Sequence, residues 1–328
     1  MEKLKIGVLG VSQHFIKRVL PAIKDSSIIS IEAVASRDIE KAKSVATAWG
    51  IERYFDSYEK LLESHVDVVY IPLPNHLHLE WIKKSAAKGK HIICEKPLCL
   101  DTKGVEEVIE ISEKAKVLVM EAFMYRFHPQ WVRVKELIKT GEIGKIMTIH
   151  SFFGYFNLNP EDIRNKLEAG GGAIRDIGCY PISVSRFLSD REPERVISLI
   201  RRDKNFKVDC LASAILDFGD FNSVFTVSTQ SVNEQKVYVY GNSGVIEVLL
   251  PFNAYTDVPM SVRVKTSLGV RKISFEVADQ YKLEFEEFAM AVLENRKPPI
   301  SLFDSLANQK VIDALFLSEE VKGWADIK

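Results

Sequence analysis

The first 120 residues alternate short apolar runs with stretches of helical periodicity, and this alternation constrains the fold more than any other feature of the chain. The predicted strands are Lys5–Leu9, Ile31–Ala35, Val66–Ile71, His91–Cys94 and Val117–Met120. The predicted helices lie near Phe15–Lys24, Ile39–Trp49, His78–Lys88 and Thr102–Ala115. Nearly continuous apolar strands separated by helices are typical of a parallel sheet covered on both faces. With right-handed crossovers, such a chain forms a doubly wound α/β sheet.

The pattern changes after about residue 122. A predicted helix near Pro129–Thr140 is followed by runs that alternate polar and apolar residues, which indicate antiparallel strands with two different faces. These runs are Ile146–Tyr155, Val196–Arg201, Leu211–Phe218, Ser223–Thr229, Lys236–Tyr240, Val245–Leu249 and Val262–Lys265. Two more helices are predicted near Tyr281–Asn295 and Asp304–Val321. We therefore expect an α+β second domain with a large, mostly antiparallel open sheet, and a division into residues 1–121 and 122–328.

The composition argues against several classes of protein. The chain has 328 residues and a formal net charge of −1, which argues against nucleic acid or an anionic membrane as the main partner. No apolar run approaches the roughly 20 residues that span a bilayer, and the N-terminus enters a strand pattern without a signal-peptide region. The cysteines have no metal-ligand spacing, and we interpret them as reduced packing residues of a cytoplasmic protein. They are Cys94, Cys99, Cys179 and Cys210.

The segment KIGVLGVSQHFIKRVLPAI combines a strand, a glycine turn and a helix. Backbone N–H groups at such a turn can approach a pyrophosphate at the start of the helix. The match to the dinucleotide fingerprint is imperfect. With Gly10 as the first glycine, Ser12 occupies the second glycine position and Phe15 the third. A purely steric reason for Gly10 stays open at this point.

The end of the second predicted strand bears on cofactor choice. An NAD-selective site usually has a carboxylate here to bind the ribose 2′-hydroxyl, whereas this chain has Ser36 and Arg37, with Lys41 close behind. A guanidinium suits a 2′-phosphate because it donates two parallel charge-assisted hydrogen bonds. We therefore predict NADP(H) over NAD. Asp38 is either a ribose ligand or the N-cap of the next helix.

The segment PLPNHLH follows the next apolar strand, at the edge of the sheet where open α/β folds bind ligands. Asn75 is placed to cap the following helix. His76 is expected to border the cofactor, and His78 is interpreted as a helix-surface residue. The two histidines have no cluster of carboxylates near them with ligand spacing, so we predict no metal.

Glu95, Lys96 and Pro97 end the following strand, again at the ligand-binding edge of the sheet. A lysine in this place is expected to lie close to the cofactor. The simpler alternative is a weakly stabilising surface ion pair in a loop.

A glycine run in the second half, EAGGGAIRDIGCYPI, leads into a helical pattern. If the helix begins near Ile174, Asp176 and Tyr180 are four residues apart and share one face. Together with Lys96 they form a proton-transfer set, because a neighbouring ammonium makes a phenol with an ordinary pKa near 10 useful at neutral pH. Alternatively, Asp176 caps a helix and Tyr180 packs at a domain interface.

Four blocks, KHIICEKPLCL, PLPNHLHLEW, EAFMYRFHPQ and GGGAIRDIGCYPI, occur in the order and spacing of the Gfo/Idh/MocA family. The chain most resembles the branch that holds trans-dihydrodiol dehydrogenase, NADP-dependent D-xylose dehydrogenase and glucose–fructose oxidoreductase. The resemblance implies an N-terminal Rossmann domain and a C-terminal domain that binds substrate and forms a homodimer or homotetramer through its sheet.

The resemblance also implies roles for particular residues. Lys96 would contact the nicotinamide ribose and assist proton transfer, Tyr180 would be the general acid/base, and Asp176 would support Lys96 or bind substrate hydroxyls. The residues expected at the cofactor are Gly7, Gly10, Ser12, Gln13, His14, Ser36, Arg37, Pro72, Asn75, His76, Glu95 and Lys96. Those expected at the substrate are Tyr125, Arg126, His128, Phe153, Asp176 and Tyr180.

The function expected from these features is NADP(H)-dependent hydride transfer to or from a sugar, polyol or dihydrodiol. Two alternatives stay open. One is an enzyme of the same fold that recycles a tightly held cofactor in dismutation or oxidation–elimination, and the other is a non-catalytic NADP sensor. The sequence leaves the exact substrate and the reaction direction undetermined.

Overall fold

The computed structural model describes residues 3–328 and divides into two compact units. The first contains the residues up to Phe123 together with Tyr281–Leu306, and the second contains Met124–Gln280 together with Ala307–Lys328. The sequence predicts one division, between residues 121 and 122, and carries no signal for the return of Tyr281–Leu306 to the first unit. The roles expected of the two domains stay predictions.

The first unit is built on a six-stranded parallel sheet with the strand order β3-β2-β1-β4-β5-β6. Its strands are β1 (Leu4–Leu9), β2 (Ile29–Ala35), β3 (Arg53–Phe55), β4 (Val68–Ile71), β5 (His91–Glu95) and β6 (Val119–Ala122). Its first five helices are α1 (Leu20–Ile23), which continues a π-helical segment at Phe15–Val19, α2 (Ile39–Trp49), α3 (Tyr58–Leu62), α4 (His78–Ala87) and α5 (Thr102–Ala115). This order confirms the predicted doubly wound sheet, and the short elements β3 and α3 were not predicted.

Local sequence signals explain where the longer helices begin. The Asp38 side chain accepts hydrogen bonds from the first turn of α2, and Asp101 does the same for α5 by accepting from the Gly104 N–H. Helix α2 ends at Gly50, which has a positive φ of 67°. Such caps satisfy backbone groups that have no partner within the helix, and both helices have the predicted bounds.

The second unit contains a nine-stranded sheet with the order β14-β13-β12-β11-β7-β10-β9-β8-β15. Its strands are β7 (Ile146–Phe156), β8 (Arg195–Arg202), β9 (Asp209–Asp217), β10 (Asn222–Ser228), β11 (Gln230–Gly241), β12 (Gly244–Val248), β13 (Ser261–Thr266), β14 (Gly269–Ser274) and β15 (Ala325–Asp326). Neighbouring strands are antiparallel except β7 and β10, which pair in parallel. The prediction of a large, mostly antiparallel sheet is therefore confirmed.

Helices α6 (Pro129–Lys139) and α7 (Cys179–Ser189) belong to the second unit, and α7 packs against α6 and β7. A π-helical turn, Ile174–Gly178, precedes α7. The last two helices are α8 (Gln280–Leu293) and α9 (Leu302–Val321). Within residues 3–328, no helix is both long enough and apolar enough to cross a membrane. All four cysteines are buried and unbridged.

Helix α8 places a carboxyl group inside the first unit. Glu284 is 1% exposed, and its Oε1 atom has no hydrogen-bond partner among residues 3–328. Nearby, Phe285 packs edge-on against Tyr70, with ring centroids 5.0 Å apart. Burial, and secondarily the charge of Glu95, raises the pKa of Glu284 well above its ordinary value. Folding therefore favours the protonated form of this carboxyl.

This burial predicts a pH-dependent stability difference for Glu284→Gln. Above the ordinary glutamate pKa of about 4.3, the unfolded chain releases a proton that the folded chain retains. Wild-type stability therefore falls as pH rises, by up to about 1.4 kcal/mol per pH unit, until the folded pKa is reached. Glu284→Gln has no carboxyl at this position, so its stability lacks this decrease with pH. Urea unfolding between pH 4 and pH 9 measures the difference, which we expect to grow with pH.

The matched control is Glu287→Gln, since Glu287 is half exposed on the same helix and pairs with Arg296. The difference in the free energy of unfolding between Glu287→Gln and wild type is expected to change little between pH 4 and pH 9. Parallel stability curves for wild type and Glu284→Gln would contradict a buried protonated carboxyl.

Candidate active site

The glycine turn after β1 is required by the packing of the first unit. Gly10 has a φ of +98°, and its N–H donates to the Ala35 carbonyl at 2.9 Å. A Cβ at Gly10 would lie 2.7 Å from Cδ2 of Leu73, so a larger residue would meet both strain and a clash. Ser12 Oγ accepts from the Phe15 N–H at 3.1 Å, at the start of the helical segment. Ser12 therefore has a local structural role at the second position of the fingerprint.

Two other positions of this segment are explained by packing. Phe15, at the third fingerprint position, is fully buried and packs near Tyr70. A Cβ at Gly7 would lie 2.6 Å from Cδ2 of Leu61 on α3. Close approach of α3 thus accounts for Gly7. Cofactor contact by Gly7, Gln13 and the other expected residues stays a prediction.

The end of β2 presents an arginine and uses its aspartate as a cap. The Asp38 carboxylate accepts from the backbone N–H groups of Glu40 and Lys41 at 3.1 and 3.2 Å. Of the two interpretations of Asp38, the structure therefore gives the helix N-cap. Ser36 Oγ accepts from the Asp38 N–H at 3.2 Å. Arg37 is exposed next to this cap.

Arg37 also lies close to a group that the sequence did not indicate, the Tyr58 hydroxyl, on whose pKa its charge acts. Burial raises the pKa of Tyr58, and the charge and hydrogen bond of Arg37 partly oppose that effect. The Tyr58 hydroxyl lies 3.6 Å from the position of a Cβ on Gly10. The glycine turn and the arginine therefore lie at the same edge of the sheet.

Glu95, whose role the sequence left open, anchors the end of β5. Its Oε1 accepts from the Tyr70 hydroxyl at 2.7 Å and lies 3.4 Å from His14 Nε2. Burial alone would raise the pKa of Glu95, but His14, Tyr70 and Lys96 outweigh burial and lower the pKa to about 2. The Glu95 carboxylate is therefore charged at neutral pH and ties β5 to β4 and to the residue before the first helical segment.

The loop after β4 differs from the expectation in two respects. Asn75 begins a 3₁₀ turn, Asn75–Leu77, and the N-cap of α4 is Leu77 rather than Asn75. His78 is fully buried, so its interpretation as a helix-surface residue is wrong. His76 is exposed and Pro72 is buried, and their contact with a cofactor stays a prediction.

In the second unit, Tyr180 lies in the first turn of α7 within a group of aromatic rings. Its side chain is 6% exposed, and its hydroxyl lies 3.6 Å from Met124 Sδ. The ring centroids of Phe252, Phe153 and Tyr125 lie 5.1, 5.7 and 5.9 Å from that of Tyr180. This packing holds the phenol in one orientation, as a proton-transferring group requires.

Asp176 lies in the π-helical turn before α7 and has two partners that the sequence analysis did not identify. The Tyr155 hydroxyl donates to Asp176 Oδ2 at 2.6 Å, and Arg164 Nε donates to Oδ1 at 3.0 Å. The charge of Asp176 raises the pKa of Arg164, while burial, and then the Asp176 charge, raises that of Tyr155. Tyr155 therefore stays a neutral donor and Arg164 a cation beside the carboxylate.

The protein itself occupies the space at two of the three glycines before this turn. A Cβ at Gly171 would meet the Arg164 carbonyl oxygen, and a Cβ at Gly172, where φ is +118°, would meet the Asp209 carboxylate. Asp209 Oδ2 accepts from the Ile174 N–H at 2.6 Å, and burial raises the pKa of Asp209 to about 6. These contacts account for Gly171 and Gly172 without a ligand.

The block predicted near the substrate is largely internal to the second unit. Tyr125 is fully buried, and its hydroxyl lies 2.8 Å from Ser183 Oγ, to which Arg126 Nη2 also donates at 2.8 Å. His128 caps α6 by accepting from the Gln130 N–H, and burial lowers the pKa of His128 to about 4. Phe153 packs against Phe252. Substrate contact by these residues stays a prediction.

No group of three or more His, Cys, Asp or Glu side chains that could hold a metal ion is found in residues 3–328.

Comparisons with known proteins identify the family. Residues 4–123 match the model of the GFO_IDH_MocA oxidoreductase family with an NAD-binding Rossmann fold, and residues 131–247 match a GFO/IDH/MocA C-terminal domain. The chain is 34% identical to D-xylose 1-dehydrogenase (NADP(+)) 2 from Haloferax volcanii, covering 97% of this chain and 98% of the relative. It is 29% identical to trans-1,2-dihydrobenzene-1,2-diol dehydrogenase from Xenopus tropicalis, over 90% of each chain.

Solved structures agree with this assignment. A 3-ketoreductase from Actinomadura kijaniata, in complex with NADP and TDP-benzene, superposes with a TM-score of 0.92 at 28% identity, covering 97% of this chain and 98% of the other. Solved variants of that reductase replace a tyrosine by phenylalanine or a lysine by alanine. The predicted resemblance is confirmed, and this chain belongs to the Gfo/Idh/MocA family of oxidoreductases.

Proposed function

We propose that the protein is an NADP(H)-dependent oxidoreductase that transfers a hydride to or from a carbon of a sugar, polyol or dihydrodiol. The observation that carries the proposal is the set of groups at the carboxyl edge of the six-stranded sheet. The Gly10 turn and the exposed Arg37 follow β1 and β2, and Lys96 follows β5. Open α/β sheets bind their ligands at this edge.

The residues present fit a dinucleotide with a 2′-phosphate. Gly10, with a φ of +98°, forms the tight turn between β1 and the first helical segment, which is where backbone N–H groups approach a pyrophosphate in folds of this kind. Arg37 offers a guanidinium at the strand end where NAD-selective sites place a carboxylate, and Asp38 is engaged as a helix cap. The solved 3-ketoreductase holds NADP, and the Haloferax relative is named as an NADP(+) enzyme. Bound NADP(H) would supply or accept the hydride.

The proton that accompanies the hydride is assigned to Tyr180. Its phenol hydroxyl donates a proton to the substrate oxygen during reduction, and its phenolate accepts the proton during oxidation. Lys96 assists because a nearby ammonium favours the phenolate form and lowers the tyrosine pKa. The lysine and the tyrosine replaced in the 3-ketoreductase variants are the same number of residues apart as Lys96 and Tyr180. That spacing supports the assignment of both residues.

Asp176 is assigned to the substrate hydroxyls. Arg164 and Tyr155 each donate to a different oxygen of its carboxylate, which fixes the plane of the group. A carboxylate fixed in this way presents its oxygens in one orientation, which suits the acceptance of a hydrogen bond from a sugar hydroxyl. Arg164 and Tyr155 position this acceptor.

The relatives are named for D-xylose, for a dihydrobenzenediol and, in a reductase from Actinomadura kijaniata that is 30% identical to this chain, for a dTDP-linked didehydro sugar. All three present vicinal oxygens on a ring or short carbon chain, and this shared chemistry supports the proposed substrate class. A screen of aldoses, polyols and dihydrodiols with NADP+, and of dicarbonyls and keto sugars with NADPH, tests the class directly. Tight NADPH binding without turnover on any of these compounds would contradict it.

We further propose that the protein forms a homodimer or homotetramer through the nine-stranded sheet. A groove of about 700 Å³ lies along β8, β9 and β10, and Leu199, Ile215 and Val224 contribute to its largely apolar lining. Leu199 is 76% exposed, and contiguous exposed apolar surface is typical of an association site. Sedimentation equilibrium measures the corresponding mass. A cytoplasmic location stays a prediction.

The assignment of Tyr180 predicts the effect of Tyr180→Phe. The variant keeps the ring packing but loses the proton-transferring hydroxyl, and turnover is expected to fall about 100-fold or more. NADPH affinity, measured by fluorescence titration, should change by less than about threefold, an effect of under 1 kcal/mol.

The control for this substitution is Tyr54→Phe on β3, because Tyr54 is 41% exposed and is not among the predicted site residues. Its turnover is expected to match that of the wild type. Wild-type turnover in Tyr180→Phe would remove Tyr180 from the mechanism.

The assignment of Arg37 predicts a change of cofactor preference in Arg37→Gln. Loss of a charge-assisted hydrogen bond to phosphate is expected to lower kcat/KM for NADP+ by about 10- to 100-fold. The value for NAD+, which lacks the 2′-phosphate, should stay nearly constant. Steady-state kinetics with both cofactors measure the ratio of kcat/KM for NADP+ to kcat/KM for NAD+.

Arg53→Gln is the matched control, since Arg53 lies in β3 and pairs with acidic side chains near it. It is expected to leave the ratio unchanged. An equal loss for NADP+ and NAD+ in Arg37→Gln would show that Arg37 does not select the phosphate.

A further inference from the structure

His78 is a fully buried histidine that none of the assigned roles uses. It is the first residue of α4, and both of its ring nitrogens lie against backbone carbonyl oxygens. Nδ1 is 2.9 Å from the Pro97 oxygen, and Nε2 is 2.8 Å from the Leu73 oxygen. The imidazole thus bridges two loops, one after β4 and one after β5.

The bridge is chemically specific. Carbonyl oxygens only accept hydrogen bonds, so a neutral ring donates its one N–H to one of the two carbonyls, and only the imidazolium donates to both at once. Burial lowers the pKa of His78, while the two carbonyls and the charge of Glu95 oppose that effect. An apolar or smaller side chain would leave buried carbonyls without a donor, which is costly inside a protein. A histidine is therefore better suited to this place than the surface role first assigned to it.

The bridged loop carries Lys96. Pro97, whose carbonyl His78 contacts, directly follows the lysine, and the Leu98 N–H donates to Glu121 Oε1 at 2.9 Å. On the other side of the lysine, Glu95 accepts from Tyr70. The backbone is therefore held immediately before and after Lys96, and His78 provides the link to the loop after β4.

We propose that His78 is a positioning residue for the reaction, which holds the turn that carries Lys96 by bridging the Pro97 and Leu73 carbonyls. The proposal rests on the proposed function in one respect, the participation of Lys96 in proton transfer. A reacting group displaced by about 1 Å can lose on the order of 100-fold in rate. The bridge thus influences turnover without contact between His78 and the substrate.

The test is a double-mutant cycle of His78→Asn and Lys96→Met. In the wild-type background, His78→Asn is expected to lower kcat about 10- to 100-fold and to change NADPH affinity by less than about threefold. In the Lys96→Met background, the same substitution should cause little further loss, because the group it positions is already absent. Losses that multiply, or an unchanged kcat in the single variant, would overturn the proposal.

The matched control is His91→Asn. His91 lies at the opposite end of β5, and its Nδ1 accepts from the Leu118 N–H at 2.9 Å. It therefore also makes a hydrogen bond to backbone, but away from Lys96. Its effect on kcat is expected to be small and to be the same in both backgrounds. If His78→Asn does not fold, His78→Gln keeps an amide donor of greater reach and replaces it in the cycle.

A second measurement does not depend on activity. Hydrogen–deuterium exchange of the protein without cofactor is expected to show faster exchange at Leu98 and Cys99 in His78→Asn, with unchanged exchange in the central strands. Unchanged exchange at Leu98 and Cys99 would contradict the bridge itself. If Lys96→Met alone keeps wild-type turnover, the role proposed for Lys96 in proton transfer fails, while the exchange result still reports whether His78 holds the turn.

Discussion

Parallel pairing of β1 with β2 and β4, and of β4 with β5, is the constraint on which the first unit depends. Because the strands run in one direction, their carboxyl ends meet at one edge of the sheet. The glycine turn, the exposed arginine and the charged end of β5 therefore share that edge although they are far apart in sequence. Apolar strands buried on both faces leave the edge as the place where polar groups reach solvent or a ligand.

Polar groups at this edge are held by contacts from neighbouring loops and helices. Glu95 is bound by Tyr70 and lies beside His14, Arg37 contacts Tyr58, and His78 joins two loop carbonyls. These contacts fix the backbone on which the exposed groups are mounted. A site of this kind is preorganised by its supporting residues as much as by the residues that contact ligand.

In the second unit, neighbouring residues likewise hold a carboxylate and a phenol in place. Aromatic rings enclose Tyr180, and Arg164 and Tyr155 hold Asp176. Gly171 and Gly172, which precede them, lack side chains where the Arg164 carbonyl and the Asp209 carboxylate lie. The tight turn is therefore explained by packing within the protein. Asp176 lies in the π-helical turn that precedes α7, and Tyr180 lies in the first turn of α7.

The sequence was sufficient where the determining signal is local. Asp38 and Asp101 mark the starts of α2 and α5, whose predicted bounds match the structure. It was insufficient for short or exposed elements such as β3 and β14, which lack a distinct apolar pattern.

The sequence also missed residues whose partners are distant along the chain. His78 contacts Pro97, and Tyr155 contacts Asp176, and no periodicity indicates either pair. The buried carboxyl of Glu284 was missed for a related reason, because a charged residue in a helical pattern is ordinarily solvated.

The central claim is that a lysine-assisted tyrosine transfers the proton. The most direct measurement is the pH dependence of hydride transfer in the oxidative direction, followed by stopped-flow NADPH absorbance in wild type and Lys96→Met. The account predicts that the rate rises with an apparent pKa below the ordinary tyrosine value of about 10 in wild type, and that Lys96→Met moves this limb to higher pH. A rate that rises over the same pH range in both proteins would contradict lysine-assisted proton transfer.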